Sequence, residues 1–183
     1  METAGQGLAA ERENHQGTVF SQMMLAKFMG YLTGRAFGPP PRVQFAALPY
    51  RLAEDGVEYL LVTSRDTARW IIPKGWPLKS GRVEETVMTE AWEEAGIHGR
   101  MHGEPVGEFS YEKRLENHTV PCRAVIYPVL VTKLAEDFPE KSERRREWLT
   151  AAMAAERVQE PELSDLFESG QLDSIIKEIE PSA

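Results

Sequence analysis

The chain has 183 residues, 42% of them hydrophobic and 27% charged, with 29 acidic against 21 basic side chains and a formal net charge of −8. That suits one globular domain with a sizeable core and short tails, and is too little for two full domains. The acid excess argues against extended nucleic acid as a partner, which needs a net basic face to displace phosphate counterions, yet leaves room for small phosphorylated ligands held by a local basic cluster. The single cysteine, Cys122, rules out an intramolecular disulfide and a thiolate zinc site and reads as a small buried residue, so a cytoplasmic protein is expected. No stretch reaches the roughly 18 to 20 uninterrupted apolar residues of a membrane span.

Residues 1–17 are rich in Gly, Ala, Glu and Gln and offer little to bury. Phe20, Met23, Met24, Phe28, Tyr31 and Leu32 then recur at steps of three and four, which predicts an amphipathic helix whose apolar face packs on its own domain or on a second copy in a homodimer. Gly38-Pro39-Pro40-Pro41 breaks it. The domain organisation expected is an N-terminal extension over 1–41, a main domain over 42–160 and a C-terminal helical tail over 161–183.

Val43 to Tyr50 and Glu58 to Thr63 are β-rich runs around Ala53-Glu54-Asp55-Gly56, and predict a hairpin. Trp70-Ile71-Ile72 leads into Pro73-Lys74-Gly75-Trp76-Pro77, a shaped loop that excludes regular helix or a central strand. Val83 to Ala95 has helical composition, with Glu84 and Glu85 in the first turn and Gly96 as its stop. Strands are predicted over Pro105 to Tyr111 and Val120 to Leu134, the second with an edge or bulge at Pro128. Thr150 to Ile179 reads as two or three short helices.

In the predicted helix Glu90, Glu93 and Glu94 stand at i, i+3 and i+4, at about 0°, −60° and +40° around the axis, and so share one face. Val83 to Ala95 contains no lysine or arginine to relieve their repulsion, and Met88, Ala91 and Ala95 form an apolar seam on the opposite arc. A hard divalent cation would relieve it, since Mg²⁺ and Mn²⁺ take carboxylate oxygens and keep positions open for water and phosphate.

From Gly75 to Ile97 the segment GWPLKSGRVEETVMTEAWEEAGI resembles the Nudix box, the signature of hydrolases acting on nucleoside diphosphates linked to another moiety. The match falls on Gly75, Glu90, Glu93, Glu94, Gly96 and Ile97, with Ala91 at the first aliphatic position. Two positions depart from the pattern: Gly81 stands where the family has Glu, and Thr89 where it has Arg. Their loss as a pair leaves no orphan charge. Leu60 to Arg65, Arg69 to Gly75 and Arg144 to Leu149 are similar to stretches of diphosphoinositol polyphosphate and diadenosine polyphosphate hydrolases, with a Gly-Trp-Pro loop of bacterial type.

The resemblance implies an α/β (α+β) Nudix fold, a mixed β-sheet sandwiched between helices. It implies a metal-dependent pyrophosphohydrolase that cleaves a P–O–P bond in a polyphosphorylated small molecule. Glu90, Glu94 and the carbonyl of Gly75 would hold Mg²⁺ or Mn²⁺, and Glu93 would be the general base, although the spacing serves other assignments of base and ligand among the three. Glu147 or Glu143 is the candidate for a further carboxylate. Arg51, Ser64, Arg65, Lys74, Lys113, Arg114, Arg144, Arg145 and Arg146 are the candidates for phosphate, arginine by its bidentate fork. The alternatives are a non-catalytic binding or regulatory module of the same fold, or an enzyme acting on nucleoside triphosphates or sugar nucleotides.

Overall fold

The computed structural model describes residues 40–115 and 118–180, so the helix expected over 20–32 lies outside the described residues. Along the chain run β1 (Arg42–Ala53), β2 (Gly56–Thr63), β3 (Trp70–Ile71), β4 (Lys74–Gly75), α1 (Val83–Ala95), β5 (Ile97–Met101), β6 (Gly107–Arg114), β7 (Thr119–Leu134), β8 (Arg146–Thr150), α2 (Ala151–Arg157), α3 (Pro161–Glu168) and α4 (Gln171–Ile179). The strands form one mixed sheet with the path β3-β2-β1-β7-β5, onto which β4 joins β1, β6 joins β7 and β8 joins β2. β1 and β7 are parallel over Arg42 to Tyr50, while the other pairs are antiparallel.

Alternation along the strands sorts the core into two layers. Ala46, Leu48 and Tyr50 of β1 and Val57, Tyr59 and Leu61 of β2 pack with Leu163, Phe167, Leu172 and Ile176 of α3 and α4. Ala47, Leu60 and Val62 face the other way, onto Val87, Ala91 and Ala95 of α1. With both faces covered, the central strands carry unbroken buried runs such as Ala46 to Tyr50. The expected sandwich of helix, mixed sheet and helix is therefore present, and the last two helices close its second core. Among the described residues no helix is long and apolar enough to cross a membrane.

The hairpin forms with Ala53 opposite Gly56, and α1 runs over the predicted residues and stops at Gly96. Pro128 sits inside β7, paired with Leu48 of β1, at a local edge of the sheet as expected. On its other side β5 pairs only as far as Val129 and β6 only from Ile126, so no strand partner asks for an N–H there, and the Pro128 carbonyl accepts from the His102 N–H. β3, β4, β5 and β8 are additions to the predicted strands, and β4 is a two-residue pairing with β1 inside the segment read as a shaped loop. β5 has only five residues around a central glycine, and β8 has five and opens on Arg146-Glu147, so neither offers a run of apolar or β-branched residues to read.

Candidate active site

The loop from Gly75 to Arg82 is fastened to α1 by one side chain. Buried Thr86 accepts from the Leu78 N–H at 3.1 Å and donates to the Arg82 carbonyl at 3.3 Å. Gly81 turns the loop with φ of 71°, in open space, so backbone conformation and not crowding selects glycine there. A hydroxyl staple thus joins the loop to the helix, the two segments in which Gly81 and Thr89 replace the expected Glu and Arg.

The three carboxylates of α1 share a face but not an environment. Glu90 is half-buried against Gly75, where an added Cβ would fall on the Glu90 carboxylate. Burial pushes the Glu90 carboxyl up to about 7, helped by the charges of Glu94, Glu93 and Glu140, and among the described residues it has no ion-pair partner. Glu94 is buried. Its Oε2 accepts from the Lys74 N–H at 3.2 Å and its Oε1 from Arg144 Nη2 at 2.5 Å. Burial raises its pKa against the pull of Arg144 and Lys74. Glu93 is exposed, and its main-chain carbonyl accepts from the Glu140 N–H.

Among the described residues no three His, Cys, Asp or Glu side chains converge as a ready metal cage, because Glu94 is turned onto Arg144 and Lys74. The donor set still suits a hard cation. Glu90 is a crowded carboxylate with no ion-pair partner among the described residues, lying against the Gly75 backbone where a Cβ would displace it, and oxygen donors of this kind are what Mg²⁺ and Mn²⁺ take.

Beside this face lies a cleft of about 610 Å³. Of the predicted residues Ser64, Arg65, Lys74, Lys113, Arg114, Arg144 and Glu94 line it. Arg69 and Tyr111, which sequence reasoning missed, line it too, so that six cationic side chains face three acidic ones, Asp66, Glu94 and Glu112. Burial lowers the Lys74 amine to about 8 against the opposing pull of Glu94 and Glu160, and its Nζ stands 5.3 Å from the centre of the Tyr111 ring. Tyr111 in turn donates to buried Gln44. Arg65 stays half-exposed while pairing with Glu140 and Glu143.

Four predicted residues lie elsewhere, among them Arg146, which donates to the Ala95 and Ala135 carbonyls. Arg51 pairs with its cross-strand neighbour Glu58 at 2.6 Å and stacks on Trp148, at the turn end of the hairpin. Arg145 exposes its side chain outside the cleft lining while its backbone pairs with Thr63. Glu147 is tied to Arg157. Two acids that the sequence did not single out lie nearer the site. Glu140 bridges Arg144 and Arg65, and buried Glu160 pairs with Arg69. Both sit in segments far along the chain, where spacing carries no signal. Trp76 packs between Arg42 and Lys113, at 4.0 and 5.1 Å, and Trp92 packs on His98.

No family model matches the chain. Among curated proteins it is 30% identical over 138 residues to the mitochondrial Nudix hydrolase 17 of Arabidopsis thaliana, an alignment spanning 71% of this chain and 70% of that protein. It is 29% identical over 127 residues to the chloroplastic Nudix hydrolase 21 of the same plant, spanning 67% of this chain but only 62% of that protein's length. It is also 29% identical over 116 residues to human diphosphoinositol polyphosphate phosphohydrolase 3-alpha, covering 62% and 67% of the two chains. The fold is similar to the crystal structure of an Ap4A hydrolase of C. elegans, with a TM-score of 0.53, 14% identity, and coverage of 75% of this chain and 98% of that one.

Proposed function

The chain belongs to the Nudix hydrolase family, and from that premise we propose that it is a divalent-metal-dependent pyrophosphohydrolase. Its substrate is a polyphosphorylated small molecule of dinucleoside polyphosphate or diphosphoinositol polyphosphate type, and it cleaves a P–O–P bond. The observation that carries this reading is the juxtaposition of a cleft lined by six cations with the crowded carboxylates of α1. A chain of net charge −8 gathers cations at one place, beside the place where it gathers acid.

In this reading Arg65, Arg69, Lys74, Lys113 and Arg114 bind the phosphate chain, the arginines through paired N–H donors. Glu90, Glu94 and the Gly75 carbonyl would hold Mg²⁺ or Mn²⁺, which when bound neutralises phosphate oxygens and acidifies water. Glu93, the exposed member of the three, takes the proton of the attacking water as the water oxygen bonds to phosphorus and the bond from phosphorus to the bridging oxygen breaks, the leaving phosphate departing with the electron pair. The relatives' names support both substrate types, one being a diphosphoinositol polyphosphate phosphohydrolase and another an Ap4A hydrolase.

A substrate panel tests the proposal. Diadenosine polyphosphates, diphosphoinositol polyphosphates, nucleoside triphosphates and sugar nucleotides are incubated with Mg²⁺ or Mn²⁺, and products are separated by anion exchange. Turnover is expected on one or both of the first two classes. Binding without turnover on any class would make the chain a non-catalytic module.

A further inference from the structure

We propose that Arg144 is a positioning residue that fixes Glu94 from outside the acidic helix, and that it does not bind substrate phosphate. The inference rests on the metal-dependent reading of the acidic face and adds to it a role that the sequence had assigned differently.

The geometry begins with a deficit. α1 carries Glu90, Glu93 and Glu94 on one face and no basic residue of its own, and Thr89 stands where the Nudix pattern has arginine. Arg144 reaches in from the connection between β7 and β8, with its side chain only 3% exposed. Each of its three guanidinium nitrogens has an acceptor within the protein. Nη2 donates to Glu94 Oε1 at 2.5 Å, Nε to Glu140 Oε2 at 2.6 Å and Nη1 to the Thr63 carbonyl at 2.9 Å. A planar fork with five N–H groups can satisfy all three acceptors at once, which an ammonium on a flexible stem does poorly.

The other oxygen of Glu94 accepts from the Lys74 N–H. Both oxygens are thereby fixed in direction, and each carboxylate oxygen has a second lone pair left for a cation. Arg146 works on the same helix. Its Nη1 donates to the Ala95 carbonyl at 2.7 Å and the Ala135 carbonyl at 3.0 Å, and its guanidinium lies 4.6 Å from the centre of the Phe138 ring. It supplies positive charge at the carbonyl end of α1, whose last turn has no basic residue. The arginine run therefore divides: Arg144 and Arg146 brace the acidic helix, and Arg145 between them is exposed.

The test titrates the metal-free full chain with Mn²⁺, following free Mn²⁺ by electron paramagnetic resonance, for wild type, Arg144→Gln and Arg144→Lys. Steady-state kcat and KM are then measured on diadenosine tetraphosphate. Groups that orient a metal ligand are worth about 10- to 100-fold in metal affinity or activity. Arg144→Gln is expected to weaken Mn²⁺ by that factor and to lower kcat with little change in KM, and Arg144→Lys to fall between. Unchanged Mn²⁺ affinity with a raised KM would overturn the proposal and make Arg144 a phosphate ligand.

Should Arg144→Gln fail to fold by circular dichroism, Glu140→Leu removes the acceptor of Nε and, with it, the partner of Arg65. It is expected to weaken Mn²⁺ by a smaller factor, and unchanged affinity would again overturn the proposal. Wild type that binds Mn²⁺ but turns over no substrate contradicts the hydrolase reading while the titration still decides the role of Arg144. Wild type that binds no Mn²⁺ contradicts both.

Discussion

Glu90 stands half-buried against the Gly75 backbone, and burial together with Glu94, Glu93 and Glu140 pushes its carboxyl up to about 7. An exposed glutamate titrates at about 4.3, so between about pH 4.5 and 7 the folded state holds a proton that the unfolded chain has released. By linkage, the stability this group contributes is present below that window and is lost as pH rises through it. The melting temperature of the metal-free protein is expected to fall from about pH 5 to 7.5, and Glu90→Gln to flatten that slope. Mn²⁺ should raise the melting temperature more at the upper pH, where no proton competes for the carboxylate. An unchanged slope in Glu90→Gln would contradict this origin. Gly75→Ala places a Cβ where the Glu90 carboxylate now lies. Mn²⁺ affinity and turnover should both drop while far-ultraviolet circular dichroism stays native, and wild-type turnover would contradict the close approach.

At the scale of elements, the loop and α1 act as one unit joined by Thr86. Thr86→Val keeps the shape, removes two hydrogen bonds and strands the Leu78 N–H, a loss of about 1–3 kcal/mol readable in urea unfolding. Thr89→Arg alone should change activity little, because Arg144 already faces Glu94 and Gly81 offers no acidic partner; a large gain would contradict that account.

The helix was legible in the sequence because propensity, terminal acids, the stopping Gly96 and the carboxylate spacing agree. The hairpin was legible for the same local reasons. The fates of Arg144, Arg145 and Arg146 were not. Three identical neighbours read alike in sequence, and only tertiary contacts with Glu94, Glu140 and the Ala95 carbonyl separate them. Pro128 was legible as a local edge, whereas the gap between β5 and β6 that makes it one is formed by segments remote from it in sequence.

At the scale of the molecule, charge is segregated. The chain as a whole carries a net −8, but the cleft carries six cations to three acids beside the acidic face of α1. Lys113 and Arg114 line the cleft without appearing in any ion pair among the described residues. The double substitution Lys113→Gln with Arg114→Gln should raise KM more for substrates with longer phosphate chains and leave kcat nearly unchanged, as loss of ground-state binding does. An equal rise in KM for all chain lengths would place these cations away from the phosphates.

The claim on which the rest depends is that Glu93 and a divalent cation act together on a phosphoanhydride. Its most direct measurement is the turnover of diadenosine tetraphosphate by chelator-treated protein with Mn²⁺ added back. The wild type should be silent without the metal and active with it, and Glu93→Gln should lose at least about 100-fold in kcat at saturating Mn²⁺. Turnover that survives chelation, or that Glu93→Gln leaves unchanged, would contradict the account.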